Sequence, residues 1–176
     1  MKVELIANLS ANGQLILAEQ SAVYQAPQEI AGMGFAKAME CGNIVMGRTT
    51  YEMFMQVMQD ILANLDVVVL SSRDIEDVKT VKTAEEVINY LETKGYEKVC
   101  VVGGTKTYNA FLETGLADEL YFNLFPVVIS SGGTLEGKVS EYLLAEMKAN
   151  RDIVMLHYKK ISKALRTYYP TGQSLV

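Results

Sequence analysis

A pair of glycines between an apolar run and a helical pattern is the feature of this sequence best suited to hold a ligand. Gly103-Gly104 follows the apolar segment 99–102. Glycine has no Cβ, so its backbone can approach a ligand closely, and the first N–H groups of a helix attract anions. The spacing predicts a phosphate-binding turn, although the same pair also occurs in ordinary turns. The helical pattern that follows begins with Thr105, Lys106, Thr107 and Tyr108.

Two further apolar segments end in residues that can bind phosphate. Segment 43–46 leads into Gly47, Arg48, Thr49 and Thr50, and segment 67–70 leads into Ser71, Ser72 and Arg73. A guanidinium grips phosphate oxygens in a fork, and Ser and Thr hydroxyls complete such sites. Together the three strand ends predict a ligand with several phosphates, such as NADPH. Taken alone, each of the two arginines can also be interpreted as a solvated surface charge, and Thr50 as the cap of a helix.

The elements that must position these residues alternate between short apolar strands and amphipathic helices. One helix is predicted after Pro27, with Ile30, Met33, Phe35 and Met39 facing inward. A second is predicted from Thr49, where Thr49 and Glu52 have the spacing of a capping box. A third is predicted from Thr83 and ends at Gly95. Gly47 and Arg48 then occupy a strand-to-helix loop. Such alternation predicts a mostly parallel α/β sheet with both faces covered, which binds ligands beyond the carboxyl ends of its strands. Strands are predicted at 3–9, 43–46, 67–70 and 99–102, the segment 119–125 follows in the same pattern, and antiparallel strands are predicted at 153–158 and 165–169.

Composition limits the class of protein. The chain is 49% hydrophobic and 21% charged, which is ordinary for a globular domain. Its net charge is −5 with scattered basic residues, so no nucleic-acid partner is expected. No apolar run approaches the ~20 residues of a membrane span, and no targeting segment is recognisable. Cys41 and Cys100 lie in apolar surroundings typical of reduced core thiols rather than of a metal site, so we expect a cytoplasmic protein.

Three segments together resemble the cofactor motifs of the dihydrofolate reductase superfamily. They are Val45-Met46-Gly47-Arg48-Thr49-Thr50-Tyr51-Glu52, Val68-Val69-Leu70-Ser71-Ser72-Arg73 and Val101-Val102-Gly103-Gly104-Thr105-Lys106-Thr107-Tyr108. Downstream, segments 116–121 and 126–135 are more similar to the riboflavin-biosynthesis reductase branch. The resemblance covers nearly the whole chain. It implies one domain over 1–176, a three-layer fold around a mixed sheet, and a homodimer.

The resemblance also implies an activity and a cofactor. It predicts hydride transfer from NADPH to a pterin, a ribosylamino-pyrimidine or a similar heterocycle. By the same resemblance the backbone of Ala7 faces the nicotinamide carboxamide and Ile16 lies near the ring. In the first motif, Arg48, Thr49 and Thr50, preceded by Gly47, hold phosphates. In the second motif, Ser72 and Arg73, preceded by Ser71, hold the 2′-phosphate together with Arg48. The third motif holds the pyrophosphate and ribose through Gly103, Gly104, Thr105, Lys106, Thr107 and Tyr108.

On the substrate side, the resemblance points to Glu29, two residues after Pro27, as a catalytic carboxylate. A carboxyl group in a dry pocket can acquire a raised pKa and assist protonation of an imine nitrogen. An acidic residue in the first turn of a helix is also favoured by the helix dipole alone.

Ser10 and Asn12 are the predicted substrate-binding residues. The riboflavin-type reductases usually carry Asp in a Ser-x-Asp-Gly turn, and Asn12 keeps hydrogen bonding there without the charge. This departure and the two interpretations of Glu29 leave an alternative open, a non-catalytic NADP-binding protein with a sensing or assembly role. The single histidine, His157, is predicted to be structural or on the surface.

Overall fold

A computed structural model describes residues 1–16, 32–138 and 141–161 of the chain. Several predictions therefore lie outside the described residues. These are the catalytic assignment of Glu29, the placement of Pro27 and Ile30, and the strand at 165–169.

The described residues form a sheet of eight strands with helices on both faces. In chain order the elements are β1 (Lys2–Ser10), α1 (Met33–Cys41), β2 (Asn43–Gly47), α2 (Arg48–Val57), α3 (Gln59–Leu62), β3 (Asp66–Leu70), β4 (Lys79–Val81), α4 (Ala84–Thr93), β5 (Lys98–Gly103), α5 (Thr105–Thr114), β6 (Glu119–Phe125), β7 (Tyr142–Asn150) and β8 (Ile153–Lys160).

The strand order is β4-β3-β2-β5-β1-β6-β8-β7. The strands from β4 to β6 in this order are parallel to their neighbours, whereas β8 is antiparallel to both β6 and β7. The predicted fold class and the antiparallel strand at 153–158 are confirmed. Two strands were missing from the prediction: β4 has three residues, and β7 is an edge strand whose side chains are mostly exposed. Neither carries the apolar signal of a buried strand.

The sheet separates two apolar layers because successive side chains of a strand point to opposite faces. On one face Val3, Leu5 and Val101 pack with Phe111 of α5 and Leu91 of α4. The opposite face is covered by α1 and its neighbours, where Ile6, Ile44 and Met46 pack with Ala38 and Cys41. Strands buried on both faces explain the continuous apolar runs seen in the sequence. Cys41 and Cys100 are buried free thiols, as predicted.

One prediction about the helices is wrong in detail. Met39 is 54% exposed, because α1 buries Ala38 and Cys41 and a residue one position from Ala38 points about 100° away on a helix. Met33 and Phe35 do pack against the core as expected. By contrast, the Thr83 cap is confirmed, since its Oγ1 accepts a hydrogen bond from Glu86 N at 3.2 Å, and Gly95, just beyond the helix, has φ +83°.

The capping box and loop predicted at the start of α2 are also wrong. The strand β2 ends at Gly47 and the helix begins at Arg48, so no loop separates them. Within the described residues α2 has no side-chain cap. The hydroxyl of Thr50 instead bonds to a different helix, as shown below.

Candidate active site

The three predicted phosphate-binding segments lie side by side. They follow β3, β2 and β5, which are adjacent and parallel, so their carboxyl ends reach the same edge of the sheet. Gly47 is paired with Leu70, and Met46 is paired with Gly103. The fold therefore brings together residues that are more than 20 positions apart in the sequence.

The central strands separate next to this edge. Pairing between β1 and β5 ends at Leu5 and Val101, whereas β1 continues to Ser10 alongside β6. After the turn that follows Ser10, the chain runs back antiparallel to β1, and Ile16 N donates to Asn8 O at 3.0 Å. The register of the pairing between β2 and β5 also shifts between Val45 and Met46, an irregularity of the β-bulge type. Ala7 and Ile16, the residues assigned to the nicotinamide, thus lie where the sheet opens.

The glycine pair forms a narrow turn at the end of β5. Gly103 has φ +151°, a conformation that side chains with a Cβ rarely adopt. A Cβ on Gly104 would lie 3.3 Å from Thr50 Oγ1. The N–H of Gly104 donates to that same oxygen at 3.1 Å. The start of α5 is therefore held directly against the first turn of α2.

The two helix starts that meet here differ from that of α4. Within the described part of the chain, neither α2 nor α5 has a side-chain cap, and neither has an acidic residue in its first turn. The start of α4 has both, with Thr83 as cap and Glu85 and Glu86 in the first turn. Because acidic side chains offset the positive end of a helix, that end remains uncompensated in α2 and α5. The helix itself supplies no partner for the first N–H groups, which can bind an anion.

Basic side chains lie at the rim of this region. Arg48 forms an ion pair with Glu52, one turn further along α2, at 2.8 Å. Both side chains are about half exposed, and such a surface pair contributes roughly 0.3–0.5 kcal/mol, little enough for a phosphate to replace it. Thr49, Ser72 and Arg73 are exposed. Ser71 Oγ accepts from Arg73 N at 3.1 Å and donates to Arg73 O at 2.8 Å, which fixes the turn after β3.

Thr107 and Tyr108 have buried side chains that face the interior, whereas Lys106 is exposed. A Cβ on Gly47 would lie 2.8 Å from Thr107 Oγ1, so the glycine allows α5 to pack against the end of β2. Tyr108 donates its hydroxyl to Ile6 O at 2.6 Å. Burial, and secondarily the nearby Cys100, raises the pKa of Tyr108, which keeps this donor protonated. Both side chains position the helix.

A second glycine pair, absent from the predicted site, closes over the start of α5. Gly133 O accepts from Leu15 N at 2.7 Å. A Cβ on Gly133 would overlap the Thr105 side chain, and one on Gly132 would lie 2.6 Å from Leu15 O. The sequence signal for this contact is the Ser-Ser-Gly-Gly run at 130–133, which lies in the segment 126–135 that resembles the riboflavin-type branch and was not assigned to the site.

The predicted substrate residues Ser10 and Asn12 hold the turn after β1. Ser10 Oγ donates to Asn12 Oδ1 at 2.8 Å and accepts from Gln14 N at 3.0 Å. Asn12 Nδ2 donates to Ile129 O at 2.9 Å, and Asn12 Oδ1 accepts from Ile129 N at 3.3 Å. An aspartate at position 12 could not donate the hydrogen bond to Ile129 O, because a carboxylate has no N–H group. The asparagine therefore links this turn to the loop that follows β6.

His157 belongs to a polar cluster under α1. Its Nε2 lies 2.9 Å from Glu119 Oε2, and Tyr121 donates to the same oxygen at 2.8 Å. Lys2 Nζ lies 2.9 Å from the other carboxylate oxygen. Burial alone would raise the pKa of Glu119, but hydrogen bonds from Lys2, Tyr121 and His157 outweigh it and lower that pKa to about 2. His157 thus has a structural partner, in agreement with the prediction.

Two clefts lie away from the cluster of strand ends. One of about 370 Å³ is formed where β3 and β4 begin, and includes Tyr51, Asp66 and Tyr90. The other, of about 310 Å³, lies between α1 and strands β6 to β8. None of the described helices is both long and apolar enough to cross a membrane.

Comparison with known proteins agrees with this architecture. A crystal structure of a Shewanella sp. PV-4 protein named for riboflavin biosynthesis superposes with a TM-score of 0.76 at 21% identity, covering 92% of this chain and 100% of that one. A pyrimidine reductase-like protein from Corynebacterium diphtheriae superposes with a TM-score of 0.72 at 15% identity, with 92% of each chain covered. At these identities the likeness shows the fold. The chain matches none of the curated proteins.

The described residues thus form an α/β domain with the fold of those two structures. The family model described as dihydrofolate reductase matches residues 2–134. The chain therefore belongs to the dihydrofolate reductase family, which confirms the resemblance seen in the sequence.

Proposed function

We propose that this protein is an NADPH-dependent reductase that transfers a hydride to a pterin, a ribosylamino-pyrimidine or a similar heterocycle. The observation that carries the proposal is the meeting of two uncapped helix starts, joined by the hydrogen bond from Gly104 N to Thr50 Oγ1. Two such ends at one strand edge favour a ligand with two linked phosphates. Family membership supports a reductase.

The residues of the site divide the cofactor between them. We assign the pyrophosphate to the backbone of the glycine turn, Thr105 and Lys106. On the α2 side, we assign phosphate contacts to Arg48, Thr49 and Thr50. To Ser72 and Arg73, exposed at the end of the neighbouring strand, together with Arg48, we assign the 2′-phosphate that distinguishes NADPH from NADH. Ala7 and Ile16 border the nicotinamide, which supplies the hydride when the cofactor is bound.

Glycine at several points lets the segments around the proposed cofactor site pack closely against one another. Side chains at 103 and 104 would contact Thr50, and one at 133 would overlap Thr105. Glycine at these positions lets backbone approach a ligand closely, as a pyrophosphate requires. On the substrate side we assign proton transfer to Glu29, and substrate contact to the turn that Ser10 and Asn12 hold together.

The proposal is tested by fluorescence titration with NADPH and NADH, followed by assays of NADPH oxidation with dihydrofolate and ribosylamino-pyrimidine substrates. We expect micromolar or tighter NADPH binding and oxidation with at least one substrate. Failure of both nucleotides to bind would refute the proposal.

One observation favours the alternative of a non-catalytic NADP-binding protein. The polar atoms of Ser10 and Asn12 are already used within the protein, in bonds to each other, to Gln14 and to Ile129. Tight NADPH binding with no oxidation across the substrate panel would support that alternative.

We further propose that the protein forms a homodimer. The edge strand β7 exposes Leu143, Leu144 and Met147, by 39%, 52% and 66% respectively. An edge strand with apolar side chains in solvent invites pairing with a second chain. Sedimentation equilibrium should give a dimer, and the double substitution Leu144→Lys with Met147→Lys should shift it to a monomer. A monomeric wild-type protein would contradict the proposal.

A further inference from the structure

Two thiols that the proposed cofactor site does not use lie together beneath α1. Cys41 is the last residue of α1, and Cys100 lies in the middle of β5. Both are free, and both belong to the apolar cluster on the α1 face of the sheet. Cys41 is 7% exposed, whereas Cys100 is fully buried. Buried thiols pack as small apolar side chains, and two neighbouring ones can also be joined by oxidation.

The backbones that carry the two thiols are held together by Asn43. Its Nδ2 donates to Cys41 O at 3.0 Å and to Lys98 O at 2.8 Å. Its Oδ1 accepts from Cys100 N at 3.2 Å. Asn43 is itself fully buried, so water does not compete for these bonds. One side chain thus fixes the end of α1 against the middle of β5.

The two sulfur atoms also lie close to each other. Cys100 Sγ lies 3.7 Å from Gly34 O in the first turn of α1, so this sulfur rests directly against the helix. Side chains on a helix lean toward its N-terminus, which brings the Cys41 sulfur back from the last turn toward the level of Cys100. The two thiol side chains hydrogen-bond to each other. The pair therefore has the proximity that a disulfide requires.

The two thiols differ in acidity, and this difference assigns their roles. The hydrogen bond from Cys100 is the largest influence on Cys41, and it lowers the pKa of Cys41 despite burial. Lys98 and Lys37 also favour the charged form of Cys41, whereas Glu4 opposes it. The hydrogen bond to Cys41, together with burial, raises the pKa of Cys100. Because the thiolate is the nucleophile, Cys41 is the thiol that reacts first.

We propose that Cys41 and Cys100 are a redox-sensitive pair that a hydroperoxide oxidises to a disulfide. The bond joins the last turn of α1 to β5, and it closes a loop that contains β2, β3 and β4. Helix α1 is then attached to the sheet covalently as well as by packing. This oxidation requires neither NADPH nor the proposed reductase activity.

The oxidation takes two steps with hydrogen peroxide as the oxidant. In the first, the Cys41 thiolate attacks one peroxide oxygen, an S–O bond forms and the O–O bond breaks. The released hydroxide takes up the proton that Cys41 lost and becomes water. In the second, Cys100 Sγ attacks the sulfenic sulfur of Cys41, the S–S bond forms and the S–O bond breaks. The leaving hydroxide takes the Cys100 proton, so the pair loses two electrons and peroxide is reduced to two waters.

The test treats the reduced, full-length protein with hydrogen peroxide and maps its peptides by mass spectrometry. We expect the peptides of Cys41 and Cys100 to become cross-linked with the loss of two hydrogen atoms, and to separate on addition of dithiothreitol. Methionine oxidation adds oxygen instead, and the sulfoxide needs its own reductase enzymes for reversal. Met39, which is 54% exposed, therefore reports that the oxidant has acted. Reduced thiols beside an oxidised Met39, or a bridge between two molecules, would overturn the proposal.

Single substitutions separate the roles of the two thiols. In Cys100→Ala, Cys41 should react and proceed to the sulfinic acid, because no second thiol displaces the hydroxide. In Cys41→Ala, Cys100 should stay reduced, because it is fully buried. Sulfinic acid at Cys41 of the wild-type protein in place of the cross-link would overturn the proposal, as would oxidation of Cys100 in Cys41→Ala. If either variant fails to fold, the wild-type peptide map decides.

Oxidation should also raise the stability of the protein. A disulfide that closes a long loop restricts the unfolded chain, so we expect the thermal midpoint to rise by roughly 5–10 °C. The rise should disappear on addition of dithiothreitol and should be absent from Cys100→Ala. A cross-linked protein with an unchanged or lower midpoint would show that the bond does not fix α1 in its native position, which would overturn this role.

Discussion

Thr50 Oγ1 accepts a hydrogen bond from Gly104 N at 3.1 Å, joining two helices whose contributing residues are 54 positions apart. Thr50 lies in the first turn of α2, and Gly104 precedes α5. The bond uses one N–H of the glycine turn and fixes the spacing of the two helix starts. It therefore sets the geometry of the proposed pyrophosphate site.

Removal of this bond should weaken cofactor binding. Thr50→Ala loses the acceptor and leaves Gly104 N unpaired, so we expect a loss of about 1 kcal/mol in unfolding free energy and several-fold weaker NADPH binding. Thr50→Ser keeps the hydroxyl and should behave nearly as wild type. Thr93→Ala, at an exposed threonine at the end of α4, is the control. Fluorescence titration and chemical denaturation measure the two effects, and NADPH affinity that is the same in Thr50→Ala and Thr93→Ala would exclude the role.

Arg48 should distinguish NADPH from NADH. Arg48→Ala removes a charge from the phosphate-binding edge, and we expect NADPH affinity to fall roughly tenfold while NADH affinity changes little. Arg151→Ala, an exposed arginine in the turn between β7 and β8, controls for loss of positive charge. Equal losses for the two nucleotides would remove the assigned contact with the 2′-phosphate.

Gly47 should tolerate a side chain only if Thr107 is shortened. A Cβ at position 47 would lie 2.8 Å from Thr107 Oγ1, which is too close for non-bonded atoms. Gly47→Ala should lower the unfolding free energy by roughly 1–3 kcal/mol, and Thr107→Ala in the same chain should recover part of the loss. Thermal unfolding of both single variants and the double variant measures this coupling. Strict additivity would show that the two residues do not pack together.

Glu119 should make stability depend on pH under acidic conditions. Its pKa falls from 4.5 to about 2 on folding, so its charged form stabilises the protein above the unfolded-state pKa, and this contribution is lost as the pH drops from about 4.5 through 2. Glu119→Gln should cost on the order of 2 kcal/mol at pH 7 and much less near pH 2. Lys2, Tyr121 and His157 face this carboxylate, and Glu4 shares Lys2. Urea unfolding across pH would refute the assignment if the difference were constant.

Asn12→Asp should loosen the contact between the turn after β1 and the loop after β6. The variant cannot donate to Ile129 O, so we expect about 1 kcal/mol less stability and faster amide exchange at residues 10–16 and 127–133. Asn64→Asp, which removes a side-chain donor on the protein surface, is the matched control. Unchanged exchange in both segments would contradict the structural role.

The strand ends could be predicted from sequence because their chemistry is local. Glycine at 103 and the Ser71-Ser72-Arg73 turn each depend on neighbours within a few residues, as do the Thr83 cap and the apolar runs of the central strands. The start of α2 could not be predicted in this way, because the Thr50 hydroxyl accepts a hydrogen bond from Gly104, which precedes another helix, and does not cap its own helix. The edge strand β7 gave no signal because its side chains are mostly exposed.

By itself the sequence determined the alternation of strands and helices, the order of the phosphate-binding segments and the resemblance to a reductase family, because residue type and short spacing encode all three. The tertiary structure alone decided where β1 and β5 separate, that Gly133 closes over Thr105, and that Asn43 holds Cys41 beside Cys100. These relationships join residues from distant parts of the chain. Such contacts depend on strand order and register, which local spacing does not specify.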